Sequence, residues 1–429
     1  MDWIALRPSL EQEREAWGWR ALQYTPRVAQ AEEALVLEVS ASLRLWGGRR
    51  RLLERLFGQP QPLAAAQWAQ GPTSLQALAL LRLQPAGRPA TDDLPLQVLS
   101  AASEHLPVLE RIGCRTWGDA RRLPRAGLAR RFAGLVQALE CAYGEQPEIH
   151  AWLQLPQAFD LRLELPALAT QASELMWTAQ RLLSQLQVWL QARQRGVLAL
   201  ELEWTLDLRR LNGMELPAHE RLEVRTAQPT QDMAHLRRLL GEQLARASLA
   251  APANYLRLRS LDTVPWAGAS GSLLPQDDAP GEALHQLIER LSVRLGAGNV
   301  VVPQAHADHR PERMQSWHPA RDAAGLLATA RAGRRAGPLP CDALYPQWLL
   351  PQPLRLDVRA EKPQFQGPLR LLAGPQRIET GWWDDGARGP AVRDYFVARS
   401  EQAGLLWIYR ERPAQDSAQV RWYLHGLYA

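Results

Sequence analysis

The stretch that most limits the fold lies between residues 159 and 261, where six runs follow one another in a fixed order. Phe159–Leu165 alternates apolar and polar side chains, and Gln171–Arg195 then repeats its apolar positions at helical spacing. Val197–Leu208 and Arg221–Ala227 alternate again, Gln231–Arg246 returns to helical spacing, and Asn254–Ser260 closes as a strand. A period of two sends neighbours to opposite faces of a strand, whereas positions three and four apart share one stripe of a helix. Thr230 stands where it could cap the second helix. The resulting βαββαβ order matches the split βαβ unit.

The first 90 residues read as another mixed body. Trp3–Leu6 is a short strand stopped by Pro8, and 12–23 is helical. Leu35–Val39 is an apolar run with β-branched residues, short enough for a strand. Gly47-Gly48 is a stop, Arg49–Phe57 a basic helix, Leu63–Trp68 a strand, and Ser74–Leu83 a helix capped from Pro72-Thr73-Ser74. Glu32-Glu33 reads as a solvated turn before a buried strand, while Glu38 lies inside that strand, where it can pair with an arginine and its role is left open. The Pro/Gly/Asp-rich stretch 85–95 ends this body.

Residues 96–147 are helical. Within them Leu109 to Asp119 has the form of a helix-hairpin-helix turn: Gly113 ends one helix at a position favouring positive φ, and Thr116 starts the next. Backbone N–H groups left free there can meet a phosphate. Arg111, Gly113, Arg115, Thr116, Gly118, Arg130 and Arg131 are the candidate DNA contacts. Helix packing alone could require the same glycine, so both readings stay open.

Beyond residue 262 the chain is rich in Pro, Gly, Ala and Asp, with one helix at Ala283–Leu295. From Leu354 to Leu424 come five or six short strands with Gly and Pro stops (354–358, 369–372, 377–379, 395–399, 405–409, 420–424), fitting a small β-barrel or sheet. His306, His309 and His318 lie in a polar, Pro-flanked segment without a helix to align them or a cysteine nearby, so a structural reading is preferred to a metal site. Three distant cysteines have no ligand spacing and fit a reducing cytosol. No basic-then-apolar leader and no long uncharged apolar window is present, so a cytoplasmic protein without membrane contact is expected. Of 50 basic residues only Lys362 is lysine, which suits phosphate binding by arginine, but a GC-rich coding sequence, which also explains the abundant Ala, Leu and Pro, is the preferred explanation.

Read together, Tyr24-Thr25-Pro26-Arg27-Val28, then Glu33 to Ser40, then Gly47-Gly48 and the basic helix resemble the second half of a Y-family (translesion) DNA polymerase palm. The hairpin resembles that family's thumb, and the βαββαβ segment its little finger. The strings Arg377–Asp384, Arg393–Phe396, Leu406–Glu411 and Trp422–Gly426 resemble those that close ImuB-type polymerase-like subunits of bacterial mutagenesis cassettes. A similar His309-Arg310-Pro311-Glu312 stretch in that type implies a docking segment. The resemblance implies an α+β chain in five parts. These are a truncated palm without fingers (1–90), a helix-hairpin-helix thumb (96–150), a little finger (157–262), a linker or docking region with one helix (263–352) and a C-terminal β domain (353–429).

Members that catalyse hold two metal ions with one Asp at the end of the first palm strand and an Asp-Glu pair before the later one. Here those positions carry Arg7, Glu33 and Ala34. Only about 20 residues separate Pro8 from Thr25-Pro26, too few for fingers, and Ser74 stands where a phosphate-binding lysine is expected. The implication is a protein without catalytic residues, metal or cofactor. It would be an adaptor in SOS-type damage tolerance, associated with the nucleoid, that holds DNA non-specifically by its backbone through arginine-rich thumb and little-finger surfaces. The implied partners are the sliding clamp, a RecA-like ImuA-type protein and an error-prone C-family polymerase. Ser272, Leu273 and Leu274 are the candidate clamp peptide, with Gln347–Leu350 as a second, and Trp382 or Trp383 a candidate partner contact. The rivals are a working translesion polymerase that uses Glu33 and Glu38, and a stand-alone DNA-binding repair protein.

Overall fold

The computed structural model describes residues 2–58, 62–85, 87, 89–208, 210–211, 213–266, 284–306, 308–320, 345–380, 391–412 and 420–428. The chain divides into two compact units, Met1–Arg290 and Leu291–Ala429.

The first unit begins with β1 (Trp3–Pro8), α1 (Arg14–Leu22), β2 (Val28–Ala31), β3 (Ala34–Glu38), α2 (Arg49–Phe57), β4 (Ala66–Gly71) and α3 (Ser74–Leu83). The strands form an antiparallel sheet in the order β2-β3-β1-β4, with Leu6 opposite Leu35 and Arg7 opposite Gln67. Every residue of β3 is buried. Alternation along β1 turns Trp3 and Ala5 toward α3, where they pack with Ala77, Leu78 and Leu81. Alanines at 5, 29 and 34 let that helix lie close to the sheet. Helices α2 and α3 occupy the spans expected; β4 starts three residues later than its apolar run. Thr73, not Ser74, caps α3, its Oγ1 accepting from Gln76 N at 3.3 Å.

A helical segment follows: α4 (Leu106–Arg111), α5 (Trp117–Arg122), α6 (Arg125–Arg131) and α7 (Ala133–Ala142). Leu109, Trp117, Leu128, Leu135 and Leu139 make its core with Leu94, Leu96 and Leu99 from the preceding 3-10 turns.

The middle sheet consists of β5 (Asp160–Ala169), β6 (Arg195–Leu206), β9 (His219–Thr230) and β10 (Ala253–Pro265), with α8 (Met176–Arg193) and α9 (Met233–Leu244) as crossovers. A short hairpin, β7 (Arg210–Leu211) and β8 (Met214–Glu215), interrupts the β6–β9 connection. The order is β5-β10-β6-β9, and β10 runs antiparallel to both its neighbours. β5 and β6 are therefore parallel with a strand inserted between them, which is the split βαβ arrangement read from periodicity. Leu200, Leu202, Trp204, Leu256 and Leu258 are buried on one face, and α8 contacts β5, β6 and β10. Asp232 caps α9 through Ala234 N and His235 N; Thr230 instead accepts from Asp232 N. The Asp232 carboxylate, two residues on and at the N-cap itself, reaches both N–H groups.

α10 (Leu284–Leu295) lies in the stretch expected as a linker, and the division between units falls within it. Its Glu289 accepts from Ala227 N and pairs with the buried His235, both at 2.6 Å.

The second unit holds a hairpin, β11 (Val301–Ala305) with β12 (Gln315–Pro319), that periodicity does not announce. Then come β13 (Trp348–Arg359), β14 (Lys362–Gln364), β15 (Arg370–Thr380), β16 (Ala391–Ser400), β17 (Gly404–Glu411) and β18 (Arg421–Leu427). They form a six-stranded antiparallel sheet in the order β14-β13-β18-β17-β16-β15. Of the two expected alternatives, the sheet is the one observed. The runs 369–372 and 377–379 are parts of a single strand, β15, irregular between Leu371 and Gln376. Gly374 sits there at φ +119°, packed against Tyr395 and Phe396, where no Cβ fits. The α+β class is as the sequence implied.

Candidate functional site

The β2–β3 turn places Glu32 and Glu33 beside the last turn of α3, and Glu32 takes a left-handed φ of +52°. Arg82 of α3 fills the space between them. Its Nε and Nη2 donate to the two Glu33 oxygens at 2.7 and 2.9 Å, Nη2 also donates to Glu32, and Nη1 donates to the Val98 carbonyl. Ser100 donates to Glu32 as well. The bond to Arg82, outweighing partial burial, holds the Glu33 carboxyl below its usual range, with the Arg7 charge adding to the effect. Arg7 donates to Gln67 Oε1 at 2.5 Å and directly follows Leu6, which stands opposite Leu35.

The expected turn is thus not simply solvated: two carboxylates and two guanidinium groups balance. The positions named from sequence do converge here (Arg7, Glu33, Ala34), but Ser74 does not. It begins α3, whereas Arg82 is near its end, about 12 Å away at 1.5 Å per residue. Ser74 is therefore not part of this cluster of charges. Glu38 is buried and pairs with Arg27 at 3.3 Å while accepting from Ser40 N at 2.9 Å.

The first turn of α3 meets a carboxylate of its own chain. Glu148 accepts from Ser74 N and Ser74 Oγ at 2.9–3.0 Å. Burial pushes its pKa up, but bonds from His150 and Ser74 prevail and leave it below the usual range. The incipient anion site at this helix N-terminus is filled.

The helical hairpin has Gly113 at φ +87°, as expected, and Thr116 caps α5 in a capping box with Asp119. That box corrects one expectation. Arg115 N and Thr116 N both donate to Asp119 Oδ2 at 3.1 Å, and Trp117 N donates to Leu94 O, so these N–H groups are not free for phosphate. Gly118 is buried with Asp92 against its Cα, a packing position. Arg121, Arg122 and Arg125 are spent on Glu145, Asp119 and Glu140, and Arg111 bonds the Pro107 carbonyl. The side chains of Arg115, Arg130 and Arg131 are exposed and, among the described residues, carry no partner. A cationic surface remains here, made of side chains rather than backbone.

The face of the middle sheet away from the leucines tells the opposite story. Across its strands, one row reads Asp160, Arg259, Glu201, Glu223 and the next Arg162, Arg257, Glu203, Arg221. With Glu164 and Arg225, five arginines face five carboxylates. Arg257 grips Asp160 in two bonds of 2.6 Å and lies 3.6 Å from Glu203; Arg259 bonds Glu201 at 3.0 Å; Arg225 pairs with Glu223. Arg162 stacks over Tyr255 at 4.0 Å.

In the second unit two polar clusters escaped sequence reading. Asp394, fully buried, accepts from Arg377, Arg410 and Arg412 at 2.9–3.0 Å; burial opposes its charge, yet the three bonds hold its pKa at about 2. Glu312, in the segment likened to a docking motif, pairs with Arg393 at 2.9 Å and lies 3.7 Å from the buried His425. Burial, opposed by Glu312, lowers His425 to about 4. Tyr395 OH and His425 Nδ1 are 2.9 Å apart. The only hint in sequence was a charged pair, Arg393-Asp394, entering an aromatic strand. His306 and His318 both bond Ser316 Oγ, and among the described residues no three possible metal ligands cluster. Trp348 of the second clamp candidate is exposed while Leu350 packs into the sheet core. Ser272, Leu273, Leu274, Trp382 and Trp383 lie outside the described residues. No described helix is long and apolar enough to cross a membrane.

Comparison with known proteins finds similarity along nearly the whole chain to Protein ImuB of Caulobacter vibrioides, in two strains. Identity is 26% over 442 aligned positions, covering 95% of this chain and 91% of the relative. The likeness to the ImuB type read from the closing strings thus extends over almost all of the sequence. No family model matches the chain. Among solved structures, a Y-family DNA polymerase chimera aligns with 58% of this chain and 76% of its own at 11% identity and a TM-score of 0.27. DinB from Sulfolobus solfataricus aligns with 59% and 77% at 13% identity and a TM-score of 0.26. The fold description rests on the topology given above.

Proposed function

We propose that the chain is a non-catalytic, polymerase-shaped adaptor in DNA damage tolerance that holds DNA by its backbone through the arginines of its helical hairpin. The observation that carries the non-catalytic part is Arg82. A metal-assisted nucleotidyl transfer needs carboxylates with lone pairs turned to two divalent ions, and here Glu32 and Glu33 already share a fixed guanidinium, with Arg7 adding positive charge. A divalent ion would have to displace a bidentate bond and sit beside two cations.

The DNA-binding part is supported by Arg115, Arg130 and Arg131, exposed and without partners among the described residues. Contacts of this kind are insensitive to sequence and sensitive to salt. Similarity to ImuB supports a place in an induced mutagenesis assembly with the sliding clamp, an ImuA-type protein and a C-family polymerase that performs synthesis.

Primer extension with Mg²⁺ or Mn²⁺ tests the central point. No extension is expected, and extension abolished by Glu33→Ala would overturn the reading. Failure of the full-length protein to retain any of the three partners in pull-downs would favour a stand-alone repair protein.

A further inference from the structure

The middle sheet offers five arginines on one open face, a number that on its own would make it the strongest DNA surface of the first unit. Their surroundings cancel that. Glu201 lies between Arg259 at 3.0 Å and Arg221 at 3.8 Å, and Asp160 with Glu203 flanks Arg257. A phosphate approaching Arg221, Arg225, Arg257 or Arg259 meets a carboxylate already paired with it, and like charges at close range repel; Arg162 is instead stacked over Tyr255. Glu201 is almost fully buried by its partners, so it cannot swing aside into water.

We infer that Asp160, Glu201, Glu203 and Glu223 shield this face from the DNA backbone and so confine phosphate contact to the helical hairpin. These carboxylates determine how the protein holds DNA: weakly, and at one place. The inference rests on the DNA-binding reading and narrows it to one surface.

The test is fluorescence anisotropy of labelled primer-template DNA with the full-length protein, titrated between about 50 and about 200 mM salt. Glu201→Gln/Glu203→Gln frees arginines without changing side-chain size. It should tighten binding several-fold at low salt and steepen the logarithmic salt dependence by about 1–2, close to 0.9 per phosphate gained. Arg257→Ala/Arg259→Ala should leave affinity within about twofold. Unchanged affinity and slope in the glutamine variant, or a tenfold loss in the alanine variant, would overturn the inference. Should the double glutamine variant misfold by circular dichroism, Glu223→Gln, nearer the rim, gives the same readout: a gain supports the shield and no gain refutes it. Wild-type protein that binds no DNA at all would instead defeat the underlying reading.

Discussion

The arginines of the N-terminal clasp and those of the helical hairpin are the same residue type put to opposite uses. Arg82 is spent within the molecule, bonded to Glu32, Glu33 and a backbone carbonyl, with about a fifth of its side chain exposed. Arg130 and Arg131 end α6 without an ion-pair partner among the described residues and are exposed. Proximity of a carboxylate, not the count of arginines, decides which surface can take a phosphate. The middle sheet sides with the clasp, although by composition it looks like the hairpin.

Removing Arg82 should break the comparison most forcefully. Arg82→Ala leaves two neighbouring carboxylates with only Arg7 for a counter-charge and a carbonyl unbonded, and should cost about 2–3 kcal/mol, read as a fall in the urea midpoint of the first unit, with DNA affinity unchanged. Arg130→Ala/Arg131→Ala should do the reverse: affinity for primer-template DNA falls about tenfold, or about 1.4 kcal/mol, the salt slope drops by about 2, and stability holds. If either variant shifts the other's observable instead, the division is wrong. Thr116→Ala sharpens the case by removing the cap of α5; about 1 kcal/mol of stability should go. Its DNA affinity should stay, because the N–H groups at this turn already serve Asp119. The smallest effect is in pH. The Glu33 carboxyl is depressed in the folded state, so the clasp contributes fully above the ordinary carboxylate range and loses that contribution as pH falls through the lowered value. Urea midpoints of wild type and Arg82→Ala should therefore converge as pH drops below about 4.

Element order was legible because each run in 159–261 has a clear period and a clear stop, and α2 and α3 could be bounded to the residue. That Arg7 and Glu33 belong to one site was legible too, from the palm resemblance, and the Arg7 charge does act on Glu33. Arg82 was not: almost 50 positions separate it from Glu33, and nothing local marks a helical arginine as the partner of a distant turn. By contrast, the sequence did carry the sign that the hairpin N–H groups are occupied. Thr116-Trp117-Gly118-Asp119 has the Thr-x-x-acid form of a capping box. Charge cancellation on the middle sheet depends on which strands are neighbours, and β10 between β5 and β6 joins residues nearly 100 positions apart. Register, not composition, carries that information.

Helix α3 touches the chain both where it leaves for the helical segment and where it comes back. Near its end, Arg82 ties down Val98; at its start, Ser74 ties down Glu148, and a few residues on Leu153 N bonds Val28 O at 2.7 Å on the edge of the first sheet. One rod thereby bonds to the chain at both crossings, an arrangement that opposes hinging there. Whatever duplex lies on Arg130 and Arg131 would be presented at one fixed angle, a property suited to a jig that holds work for another tool rather than to a hand that opens and closes on it.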